Sequence, residues 1–144
     1  MAEPQSYANH AKRPPVPFLA AWFAATAAAA SFLFGLFIDF SVETLALFLT
    51  AGAVSVGIPL ARRFALGVQD RVIRLEERLR MERLLPDDLN SRIEDLTTDQ
   101  LIGLRFASDA ELSGLVRRVL DGELTERKEI KQAVKDWRAD HQRI

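Results

Sequence analysis

Residues 18–61 read FLAAWFAATAAAASFLFGLFI, then DFSVE, then TLALFLTAGAVSVGIPLA. The apolar runs at about 18–38 and 44–61 contain no charged side chain, and each approaches the roughly 20 helical residues that cross a hydrocarbon core. The pattern predicts a transmembrane helical hairpin with its turn at residues 39–43. Thr26, Ser31, Thr50 and Ser55 are the only polar side chains well inside the two runs. Proton relays, ion pathways and voltage sensors place ionisable groups within the membrane, so this composition points to anchoring and away from transport.

Orientation is read from the flanks. Lys12 and Arg13 precede the first run and Arg62 and Arg63 follow the second, whereas the turn carries Asp39 and Glu43. The positive-inside rule then places both termini of this two-span, multi-pass chain in the cytoplasm. The first run exceeds the apolar core of a signal peptide and has no small-residue cleavage pattern behind it. Small residues recur at Ala27, Ser31 and Gly35 and again at Ala53 and Gly57, spacing that brings helix backbones close in lipid. These five residues are the expected packing row of the hairpin. Pro59, one turn before the second exit, predicts a bend or a helix end.

The hairpin separates two water-facing pieces. Residues 1–17, with prolines at 14, 15 and 17, read as a flexible N-terminal arm on which His10 has no evident partner. The chain after Ala61 holds 17 of the 19 Lys and Arg residues and 17 of the 20 Asp and Glu residues, so it is highly charged yet nearly neutral. There is no cysteine, which removes disulfides, thiolate metal sites and a cysteine nucleophile.

Residues 62–85 continue a helical pattern as a juxtamembrane amphipathic helix. Phe64, Val68, Val72, Leu75 and Leu79 fall on one narrow stripe, surrounded by charges that include the i, i+4 pairs Asp70/Arg74 and Glu76/Arg80. Three uses compete for this stripe: packing on the protein's own C-terminal helices, a short coiled coil with another copy, or the membrane surface. Residues 86–144 then read as a small cytoplasmic helical domain. Thr97 with Gln100 and Ser108 with Glu111 fit the capping box, and Thr125 fits a third N-cap. The segment 99–107 is apolar on several sides, as the centre of a bundle requires.

The last predicted helix, about 126–140, turns Ile130, Ala133, Val134 and Trp137 to one side. Arg127, Lys128, Lys131, Lys135 and Arg138 would share the neighbouring side, a basic face for anionic lipid or an acidic partner. A helix-turn-helix over residues 109–140 has suitable lengths, but nothing clusters at the start of its second helix to read base edges. Nucleic acid is therefore an unlikely partner on this reading. Asp136, Asp140 and His141 are too few and too crowded by cations for a metal centre. No nucleophile beside a base, no glycine-rich phosphate loop and no cofactor motif occurs, so the expectation is a non-enzyme with no cofactor and no small-molecule substrate.

Four segments carry a resemblance: YANHA at 7–11, FALGVQDRVIRLEERLR at 64–80, LRFASDAEL at 104–112 and EIKQAVKDWRADHQRI at 129–144. In these the chain resembles a family of small bacterial two-span membrane proteins of unknown function. The resemblance implies an all-α protein with a transmembrane hairpin and a cytoplasmic helical tail, and it carries over no site residue. The expected role is an inner-membrane anchor or scaffold with a helical interaction module, partnered by the bilayer and by a protein or a second copy. A holin-like oligomeric permeabilising protein is the alternative, and a membrane-tethered DNA-binding protein a weaker one.

Overall fold

The computed structural model describes residues 5–11 and 13–140. Lys12, one of the orienting cations, and His141 lie outside the described residues. The protein is all-α: α1 spans Val16–Ile38, α2 Val42–Leu84, α3 Asp87–Asn90, α4 Thr98–Leu104, α5 Asp109–Leu120 and α6 Arg127–Ala133, with a 3-10 turn at Ile93–Asp95. Two compact units result. One is residues 13–66; the other combines the N-terminal arm with the chain from Gly67 onward.

The first unit is an antiparallel helical hairpin. α1 starts on Pro15, whose fixed φ suits a helix entry. The Ser41 hydroxyl accepts the Thr44 amide at 3.0 Å and so opens α2. Three contacts set the pairing. The Arg62 guanidinium lies 5.4 Å from the centre of the Phe18 ring, the Thr26 and Ser55 hydroxyls meet at 2.7 Å, and Gly35 lies beside the Thr44 methyl, where an added Cβ would sit 3.4 Å from it. As the position on α1 rises, its partner on α2 falls by a similar step, as antiparallel helices in constant register require. α2 runs through Pro59 without ending.

The predicted packing row is corrected in part. Gly35 lies at the interface, but Ala27, Ser31, Ala53 and Gly57 are exposed. The half-buried line on α1 is instead Trp22, Ala25, Ala28, Ala29, Phe32, Gly35 and Leu36, and on α2 it passes through Thr44, Phe48, Ala51, Ser55 and Ile58. The reason is geometric. Alanine is abundant all around α1, so a small-residue repeat can be drawn on several faces, and the Thr26–Ser55 bond and Gly35 select among them. No residue of either apolar window is buried, and Phe23, Phe34, Phe37 and Phe40 are more than 60% exposed. Both helices are long and apolar enough to cross a membrane.

The second unit is a small helical module built around α4. Leu101, Ile102, Gly103 and Leu104 are all buried, as expected for the central segment. The Thr97/Gln100 capping box closes its N-terminus, with the Thr97 amide donating to Gln100 Oε1 at 2.9 Å. Met81, Leu85, Leu89, Ile93 and Leu96 lead the chain around a core completed by Leu112, Leu115, Val116, Val119, Ile130 and Val134. At Gly103, an added Cβ would stand 3.0 Å from Ile130 Cβ and Cγ2 and 3.4 Å from the Arg127 carbonyl oxygen. α4 and α6 thus touch backbone to side chain. Gly103→Val is expected to destabilise the module by about 1–3 kcal/mol through overpacking, read as a lower midpoint in thermal unfolding followed by circular dichroism.

The last predicted helix is shorter than expected. α6 ends at Ala133, and Val134 is already extended. From there the chain lies antiparallel against residues 106–108: Ser108 N–H donates to Asp136 O at 3.0 Å and Arg138 N–H to Phe106 O at 2.8 Å. Glu111 does not complete a box with Ser108. Its carboxylate accepts the Lys135 and Asp136 amides, both at 3.2 Å, and thereby holds the chain in its non-helical path. Thr125 is not the N-cap of α6; Glu126 is, in a reciprocal box with Glu129.

Candidate functional site

α2 presents two opposite faces in the module. At about 100° per residue, Ile73, Glu77, Arg80 and Met81 centre on one side, and Val68, Val72, Leu75 and Leu79 centre about 155° away. The first set is buried. The apolar set is about half to 61% exposed, and Phe64, in the hairpin unit, is 71% exposed. Of the uses expected for the stripe, packing on the protein's own C-terminal helices is corrected: those helices take the charged face.

That choice is explained by the partners waiting there. Arg80 donates to Asp109 Oδ1 from Nε at 2.9 Å and from Nη2 at 2.6 Å, to the Ala107 carbonyl at 2.7 Å, and to Glu77 Oε2 at 3.0 Å. Arg138 reaches the other Glu77 oxygen at 3.1 Å. One guanidinium therefore joins α2, the start of α5 and the chain between α4 and α5. A planar five-donor fork can do this where an ammonium cannot. Periodicity could not reveal it, since Glu77 and Arg80 at i, i+3 read as a surface pair. The available signal was the apolar bracket, Ile73 and Met81, on the same face.

The guanidinium of Arg80, by its hydrogen bonds first, holds the Asp109 carboxyl below its ordinary range, with Arg138 and Arg83 adding attraction. A lowered folded-state pKa contributes stability above the ordinary carboxylate range that is lost as pH falls through the lowered value. Acid unfolding of the protein is expected to become shallower below about pH 4 in Asp109→Asn, the range in which an ordinary Asp titrates. Amide donors from Glu126 and Thr125 likewise lower Glu129.

The basic face predicted on one long helix is also corrected, because its residues leave the helix or take separate partners. Arg127 bonds Asp99 at 2.7 Å. Lys131 is buried, within 3.1 Å of His10 Nε2 and 5.0 Å from the centre of the Phe106 ring. Arg138 serves Glu77. Lys128 and Lys135 are exposed but no longer share a helical face, since Lys135 lies past the end of α6. The second helix of a helix-turn-helix would be α6, whose 7 residues fall short of a groove-reading element.

His10 was expected to lack a partner, and this too is corrected. Its Nδ1 lies 2.7 Å from the Tyr7 carbonyl, and its ring stands 5.6 Å from both Phe106 and Trp137. Phe106 and Trp137 stack at 4.8 Å. Gln5 pairs with the Asp140 backbone, accepting its amide at 2.8 Å and donating to its carbonyl at 3.4 Å. Residues 5–10, part of the stretch expected to form a free arm, thus dock on the end of the module. Asp140 itself pairs with Arg105 at 3.3 Å.

Between α2 and the C-terminal segment a groove of about 720 Å³ is lined by Val72, Leu79, Glu76, Arg83 and Arg138, among others. Val72 and Leu79 of the exposed stripe thus also line this groove, beside Glu76, Arg83 and Arg138. No curated protein and no solved structure matches the chain. A family of unknown function, DUF6526, matches residues 1–144, and the chain belongs to that family.

Proposed function

We propose that this protein is a non-catalytic membrane anchor that holds a helical interaction module at the cytoplasmic face of a bacterial inner membrane. The observation that carries the reading is how the chain divides. Residues 5–11 and residues from Gly67 pack together in one folded unit, while the intervening hairpin exposes apolar side chains on every outer face. A folded unit made from both flanks supports a two-span arrangement with both termini on one side. Inside the hairpin three of the four hydroxyls are bonded within it: Thr26 to Ser55 and the Trp22 carbonyl, and Thr50 to the Ala46 carbonyl. Spans without ionisable groups suit a fixed anchor better than a conducting path.

The test uses single cysteines in a chain that has none. Ser41→Cys lies in the turn and Ser91→Cys in the module. The protein is expected to resist alkaline carbonate extraction, with Ser41→Cys labelled by an impermeant maleimide in spheroplasts and Ser91→Cys only after lysis. Release by carbonate sinks the anchor, and collapse of the membrane potential on expression favours the permeabilising alternative.

A further inference from the structure

We propose that the exposed α2 stripe is the contact surface for a second copy of this chain, with the two α2 helices parallel and in register. The inference takes the anchor reading as its starting point, because two copies held in one bilayer present α2 in the same direction. The spacing of Val68, Val72, Leu75 and Leu79, four, three and four, is the heptad alternation of d and a positions. Val68 and Leu75 then occupy d, and Val72 and Leu79 occupy a. These four are exposed on the side of α2 turned away from the module's own core, so a partner can reach them without unfolding anything.

Charge decides between the two orientations of a second copy. In this register Arg71 is a g residue and Glu76 the e residue five positions on, the pair that meets across a parallel two-stranded coil. Two-fold symmetry forms that pair twice. The next such pair is Arg78 with Arg83, but Arg78 is held by Glu94 of its own chain at 2.9 Å and Arg83 Nε by the Leu79 carbonyl at 3.1 Å. An antiparallel coil would set Arg71 beside Arg78, which Glu94 already holds, and so offers Arg71 no carboxylate. An anionic lipid surface would meet Arg71 and Arg83 as well as Glu76 beside the stripe, so the vesicle arm of the crosslinking test separates it from a second copy. Only the parallel pair places Arg71 beside a carboxylate. The seam is short, and co-anchoring in one membrane raises the effective concentration of the second copy.

Disulfide crosslinking of the full-length protein in its membrane tests this. Val68→Cys and Leu75→Cys are each expected to oxidise to covalent dimers roughly tenfold more than Arg74→Cys, which sits off the seam. In the Leu75→Cys background, Arg71→Glu is expected to lower the yield about three- to tenfold, and adding Glu76→Arg to restore it, as an exchanged charge pair requires. Dimers only when Val68→Cys and Leu79→Cys chains are mixed indicate an antiparallel pair and overturn the proposal. So does a Leu75→Cys protein that forms no dimer but whose attached dye shifts on adding anionic vesicles, which gives the stripe to lipid. Protein that resists carbonate extraction yet fails to crosslink refutes the dimer and leaves the anchor standing.

Discussion

Arg80→Ala is expected to destabilise the helical module by about 3–5 kcal/mol, the cost of removing one member of a buried ion pair. Typical domains have about 5–15 kcal/mol in all, so the change takes a large share. Both Arg80 and Glu77 are about 95% buried. The loss has distinct parts. The Ala107 carbonyl loses its guanidinium donor at 2.7 Å, and an orphaned buried acceptor costs about 1–3 kcal/mol. Glu77 keeps Arg138 at 3.1 Å, but that side chain is 52% exposed, so half of its compensation is screened. The lost bond to Asp109, whose side chain is 65% exposed, contributes least. Arg80→Lys is expected to recover little, since an ammonium cannot reach three acceptors on separate elements in one plane. The double variant Arg80→Met with Glu77→Leu removes both buried charges and is expected to be more stable than Arg80→Ala alone. Denaturant titration of the full-length protein in detergent, followed by far-UV circular dichroism, reads these differences. A loss below about 1 kcal/mol for Arg80→Ala would show the pair to be a surface-like contact.

The hairpin and the centre of the module were legible because they rest on properties of single segments. Two uncharged runs of membrane length, a polar turn and the Thr97/Gln100 box each speak for themselves in sequence, and the all-α class follows from them. What could not be read depends on which of several available faces a partner takes. α1 offers alanines all round, so Ala27 and Ser31 competed on equal terms with Ala25, Ala28 and Ala29. α2 offers an apolar stripe and a charged face, and the preference for the charged one comes from Asp109 and the Ala107 carbonyl, 29 and 27 residues away. The early end of α6 has the same origin. Residues 134–140 hold good helical spacing, but Glu111 captures two of their amides, the Phe106 carbonyl takes the Arg138 amide, and the Asp136 carbonyl accepts the Ser108 amide. Long-range hydrogen bonds overrode local periodicity there, and the basic face disappeared with the helix that was to carry it.

The other large effect belongs to Phe106, where the three segments joined by those bonds converge. Its side chain is fully buried, stacked on Trp137 at 4.8 Å and met by the edge of His10 at 5.6 Å. The Arg105 guanidinium lies 4.5 Å from the ring centre and the Lys131 ammonium 5.0 Å. Phe106→Ala is expected to cost about 3–5 kcal/mol, the range for truncating a buried aromatic ring. The upper end is favoured because the ring also supplies an aromatic pair and two cation–π contacts. Phe106→Leu restores much of the volume and none of the quadrupole, so the difference between the two variants isolates volume from ring. A second consequence follows from the docked arm. With the ring gone, His10 loses one wall of its seat and the bond after Tyr7 opens to protease, whereas His10→Ala frees the arm while leaving the core intact. Chymotrypsin digestion of the full-length protein separates the two: rapid N-terminal clipping in both variants, global digestion of the module in Phe106→Ala alone. Trp137 emission in a Trp22→Phe background gives an independent readout, with a red shift expected for Phe106→Ala. Intact, slowly digested Phe106→Ala protein would mean that the ring is not what binds arm, α4 and C-terminal segment together.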